Sequence, residues 1–147
     1  MTTMTAQSTQ VYSIFIKATP EAIWDAITKP EFTQKYFFGS HVTVTPSEWR
    51  GLDGEGNDLV RGRVVEIDPP HRLVHGWRAL YDPETAVEED SRVSWEIEAQ
   101  DGGYSKLTVV HDQLEGAPKT AESVAGGWMF VLSGLKSLLE TGQPLVS

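Results

Sequence analysis

Hydrophobic positions change their spacing along this chain, and the changes mark its elements. Val11 to Lys17 (VYSIFIK) is dense in β-branched and aromatic residues, the composition of a strand. Thr19, Pro20 and Glu21 then follow in the order of an N-cap, a first helical proline and an acidic first turn. Ala22, Ile23, Ala26 and Ile27 recur at helical spacing, with Trp24 at the flank. Pro30 stops this helix and starts a shorter one through Phe32 to Phe37, which Gly39 ends.

After Gly39 the period becomes two. Strands are predicted over His41 to Thr45, Glu48 to Leu52, Leu59 to Ile67 and Arg72 to Leu80. A hairpin joins Ser91 to Ala99 and Tyr104 to Asp112 about Asp101-Gly102-Gly103. Asp53 to Asp58 reads as a turn, Asp68-Pro69-Pro70 as a strand end, and Tyr81 to Asp90 as an acidic loop. Alternation puts Val93, Trp95, Ile97 and Ala99 on one face, and likewise Leu107, Val109 and His111. Leu73, His75 and Trp77 share a face, as do Arg63, Val65 and Ile67.

That apolar surface needs a cover. Thr120 to Glu140 supplies it, with Val124, Trp128, Val131, Leu132, Leu135, Leu138 and Leu139 at 3-and-4 spacing. Gly126-Gly127 weakens this helix and reads as a bend or a close approach to the sheet; Gly142 and Pro144 end it. The pattern predicts an α+β fold. A mostly antiparallel sheet of six or seven strands meets one long C-terminal helix, and two short helices follow the first strand.

The chain has 147 residues, the size of one domain, expected over 10–142 with tails at 1–9 and 143–147. It has no cysteine, which excludes disulfides, thiol catalysis and cysteine-ligated zinc. No apolar run approaches a membrane span, and Met1 to Phe15 lacks the basic start of a secretory signal, so a cytoplasmic protein is expected. The formal charge is -9, with fourteen acids and six bases between Glu48 and Asp101. Nucleic acid is therefore not an expected partner. The acidic stretch is either a solvated set of strands and loops or a face for a basic partner.

Three motifs in order carry a family resemblance. ATPEAIWDAITKPE (Ala18 to Glu31) resembles the N-terminal signature of the SRPBCC, or START-like (Bet v-like), superfamily. RGRVVEIDPPHRLVHGW (Arg61 to Trp77) and GGWMFVLSGLKSLLE (Gly126 to Glu140) are similar to its subgroup named for activators of heat shock protein 90 ATPase. The resemblance implies a helix-grip fold with an apolar cavity between sheet and helix. It implies no single function. The superfamily includes lipid and hormone carriers, polyketide cyclases and aromatases, and chaperone regulators.

Candidate chemistry follows from the inward positions. His111 reads as a cavity hydrogen-bonder, a general base, or a structural histidine bonded to backbone. His75 is similar, and Arg63 would meet a ligand carboxylate or an internal acid. Trp77, Trp95 and Trp128 would form an aromatic wall for a planar ligand, or ordinary core. Tyr36, Phe37 and Phe38 would be a lid, or packing for a short helix. Glu88-Glu89-Asp90 reads as a solvated charge run. No metal, phosphate-loop or hydrolase-elbow spacing is present, so no metal or cofactor is expected.

The expected function is binding of an apolar or aromatic small molecule between sheet and helix. Arg63, His75 and His111 would orient it, with Trp77, Trp95, Trp128, Tyr36 and Phe37 around it. The alternatives are a cyclase- or hydrolase-like enzyme using His111, and a chaperone regulator or other protein-interaction module. Either a monomer or a homodimer fits.

Overall fold

The computed structural model describes residues 8–146. The N-terminal tail expected over 1–9 falls almost wholly outside that range. The elements run β1 (Gln10–Ile16), α1 (Pro20–Thr28), α2 (Pro30–Tyr36), β2 (His41–Val44), β3 (Glu48–Leu52), β4 (Asp58–Asp68), β5 (Arg72–Ala79), α3 (Pro83–Ala86), β6 (Ser91–Gln100), β7 (Tyr104–Asp112) and α4 (Pro118–Thr141). The seven strands form one antiparallel sheet in the order β1-β7-β6-β5-β4-β3-β2. The α+β helix-grip architecture is therefore present.

Local chemistry explains the boundaries. The Thr19 hydroxyl accepts the Ala22 N–H at 3.1 Å, and Pro20 takes the first position of α1. At the other end of the chain, Gly142 in the left-handed region closes α4 with its N–H on the Leu138 carbonyl. The acidic loop contains the one-turn α3, capped by the Asp82 carboxylate on the Glu84 N–H. Gly126 and Gly127 lie within α4, which runs unbroken through them.

The core lies between the inner sheet face and α4. Leu73, Val93, Trp95, Ile97, Leu107 and Val109 from the sheet meet Val124, Trp128, Val131, Leu132, Leu135 and Leu138 from α4. Ile23, Ala26 and Ile27 of α1 close one end of this core. Truncating any large member to Ala costs about 2–5 kcal/mol, because the vacated space closes only partly.

One strand departs from simple alternation. The spacing puts Arg63, Val65 and Ile67 inward, but all three are exposed. Val64 pairs with His75 and takes the inward place. The register then shifts between Val64 and Glu66, so Ile67 comes opposite Leu73 near the strand end. A single extra residue therefore splits the face of β4, and Arg63 lies on the outside. Ala99, expected inward on β6, is exposed next to the hairpin turn.

Candidate functional site

A cavity of about 340 Å³ opens at the end of the core where α4, α2 and the β4–β5 pair diverge. Its volume is at the lower end of the ~300–1,000 Å³ typical of small-molecule sites. Trp77 and Val60 supply the sheet wall, and Val124, Trp128 and Val131 the helix wall. Phe37, Phe38 and Ser40 reach it from the connection between α2 and β2. Gly127 lies on the same helix face, and a β-carbon there would come within 3.7 Å of the Phe38 ring.

The floor is buried and the rim is open. Trp77 and Trp128 are 5% and 2% exposed, whereas Phe38 and Tyr81 are 63% and 49% exposed. Phe38 adopts a positive φ of 52° and stacks on Phe130 at 5.2 Å between ring centres. Across the mouth, the Tyr81 and Ser123 hydroxyls are hydrogen-bonded at 2.6 Å. The lining holds no Asp, Glu, Lys, Arg or His side chain.

Behind the floor lies a hydrogen-bonded aromatic layer. The Trp128 indole N–H donates to His111 Nδ1 at 3.0 Å. That bond fixes His111 as the Nε2–H tautomer, which donates to the Ser91 hydroxyl at 2.8 Å. Ser91 in turn donates to the Trp77 carbonyl at 3.3 Å. A second unit is built the same way. Trp95 donates to His75 Nε2 at 3.0 Å, and His75 Nδ1–H donates to the Gly76 carbonyl at 2.8 Å. The His75 ring also stacks on Trp49 at 4.4 Å with the planes 4° apart. Burial pushes both imidazoles down, His75 to about 3 and His111 to about 4. Both are therefore neutral acceptors at pH 7, with each ring nitrogen engaged.

The structure thus distributes the sequence-derived residues over three places. Trp77, Trp128 and Phe37 line the cavity. His75, His111 and Trp95 form the layer behind it. Tyr36 is buried in the helix packing, its hydroxyl on the Ala26 carbonyl at 2.7 Å, and is outside the lining. Arg63 stands exposed on the outer face of β4 and cannot orient a ligand within. Sequence reasoning missed Ser40, Tyr81 and Ser123, the hydroxyls of the lining. Each comes from a different segment, and no local spacing connects them.

Five of the six arginines in the acidic middle of the chain are held in ion pairs, and the stretch keeps its excess of carboxylates. Arg50 pairs with Asp58, Arg61 with Glu48, Arg72 with Glu66 and Glu96, Arg78 with Asp90, and Arg92 with Asp112. Among the described residues Arg63 is the arginine without such a pair. Glu88, expected to be solvated, instead accepts the Lys119 and Thr120 N–H groups at 2.8 Å each. Among the described residues no helix is long and apolar enough to cross a membrane.

Comparisons with known proteins agree with this architecture. An Hsp90 activator from Plasmodium falciparum superposes with a TM-score of 0.72 at 20% identity, over 90% of this chain and 96% of that one. The Aha1 dimer from Colwellia psychrerythraea gives 0.71 at 17% identity, over 92% and 98%. CalU16 from Micromonospora echinospora gives 0.68 at 17% identity, over 91% and 77%. At these identities the likeness establishes the fold. No curated protein matches the sequence. The sequence pattern of the family described as Activator of Hsp90 ATPase homolog 1-like protein matches residues 17–140, and the chain belongs to that family.

Proposed function

We propose that this protein binds an uncharged, apolar or aromatic small molecule in the cavity between β4, β5, α2 and α4. The supporting observation is the composition of the lining: two tryptophans and a phenylalanine at its base, aliphatic side chains around them, and hydroxyls as its other polar side-chain groups. Such a surface favours planar apolar matter by burial and aromatic contact. It offers no counter-charge for a carboxylate or an ammonium, whose desolvation would go uncompensated. His111 and His75 contribute by holding the wall, since both nitrogens of each ring are already used.

Titration with a neutral fluorophore, N-phenyl-1-naphthylamine, tests the reading. Saturable enhancement is expected in the wild type, with energy transfer from Trp77 and Trp128. Val131→Trp fills the cavity from the helix side, and binding should fall at least tenfold with the unfolding transition retained. Equal binding by both proteins would place the fluorophore elsewhere and count against the proposal.

A further inference from the structure

We infer that the ligand is an amphiphile with a neutral oxygen, a ketone or a hydroxyl, at one end. It enters apolar end first and leaves that oxygen at the Tyr81–Ser123 hydroxyl pair in the mouth. This rests on the cavity being a binding site, as proposed above.

The lining is graded from base to rim. Phe37, Trp77, Val124, Trp128 and Val131 are buried, whereas Tyr81 and Ser123 stand exposed. Tyr81 comes from the β5–α3 connection and Ser123 from α4. Their hydroxyls meet at 2.6 Å and have no other hydrogen-bond partner among the described residues. Two hydroxyls carry two protons, and their mutual bond uses one. One O–H is therefore left to donate at the mouth, where solvent and ligand both reach it. A ligand that fills the cavity displaces water from this O–H. An apolar end placed there leaves the donor unmatched, whereas an oxygen accepts it, a difference of about fivefold in affinity. Ser40 is the rival position, since its hydroxyl also lines the cavity and has no hydrogen bond among the described residues. Ser40 is buried, so an oxygen bound there would lose its water entirely, while one at the mouth keeps part of its hydration. An anionic end is disfavoured at the mouth, because Asp82 follows Tyr81 and Glu122 precedes Ser123 in the chain.

Two probes test this: 2-acetyl-6-methylnaphthalene, with an oxygen at one end, and 2-ethyl-6-methylnaphthalene, of similar shape without one. Affinities are read from tryptophan quenching, and isotope-filtered NOEs locate each end of the acetyl probe on the wild type. Its ring methyl should contact Trp77 and Trp128, and its acetyl methyl should contact Tyr81. Either hydroxyl alone still offers an O–H, so the decisive variant is the double Tyr81→Phe/Ser123→Ala, with both changes at exposed positions. The acetyl-to-ethyl affinity ratio should fall about fivefold from the wild type to that variant. Ser40→Ala should leave the ratio unchanged. The reverse orientation, or a ratio that falls in Ser40→Ala and not in the double variant, would overturn this inference and leave the cavity reading standing. Absence of saturable quenching and of NOEs for both probes would overturn the cavity reading and this inference with it.

Discussion

Trp128 on α4 and His111 at the end of β7 are joined by a 3.0 Å hydrogen bond in which the indole donates and the imidazole accepts. The bond ties the covering helix to the sheet at the floor of the cavity. Replacing His111 by Ala removes the acceptor of Trp128, leaves the Ser91 hydroxyl with only its bond to the Trp77 carbonyl, and opens a void. Urea unfolding should show a loss of about 3 kcal/mol. A loss below about 1 kcal/mol would mean that the network contributes little to holding the helix.

The same histidines should make stability depend on pH. Their folded values, about 3 for His75 and about 4 for His111, lie below the unfolded value of 6.5. The unfolded state therefore binds more protons under acid conditions. Their contribution is complete above pH ~6.5 and is lost as pH falls towards the folded values. Between pH 6.5 and 5 each histidine should cost about 1.5 kcal/mol of stability. Denaturant midpoints at the two pH values measure it, and His111→Gln should remove about half of the difference.

Glu88 should act as a remote cap of α4. The helix starts after Ala117, which provides no side-chain cap, and Glu88 accepts the Lys119 N–H, the Thr120 N–H and the Thr120 hydroxyl, each at 2.8 Å. A carboxylate there satisfies orphan donors and faces the positive end of the helix. Glu88→Ala should cost about 1–2 kcal/mol in thermal or urea unfolding. Glu98→Ala, an exposed change on β6, should cost less than about 0.5 kcal/mol.

Gly62 on β4 should tolerate no side chain. A β-carbon there would lie 1.8 Å from the Gly76 carbonyl oxygen of β5, a backbone atom that cannot swing aside. Gly62→Ala must force the two strands apart and should destabilise by about 3 kcal/mol or more. Gly54→Ala, in the open β3–β4 turn with nothing within 4 Å, is the matched control and should be nearly silent.

The elements and the covering helix were legible in the sequence because each is written locally. Thr19-Pro20 announces α1, the Asp101-Gly102-Gly103 turn announces the β6–β7 hairpin, and the stripe from Val124 to Leu138 announces α4. The site was legible only in part. Trp77 and Trp128 lie on faces that periodicity resolves. Arg63 was misplaced because periodicity cannot see the bulge between Val64 and Glu66. Ser40, Tyr81 and Ser123 converge through tertiary packing of three distant segments. The role of Glu88 is also long-range, 31 and 32 residues from the groups it caps.

Amide chemical-shift mapping of the wild type with a saturating neutral aromatic probe tests the central claim most directly. Binding in the proposed cavity predicts shifts concentrated at Phe38, Ser40, Val60, Trp77, Gly127 and Val131, with the outer face of β4 around Arg63 unmoved. Shifts confined to that outer face, or none at saturation, would contradict the account.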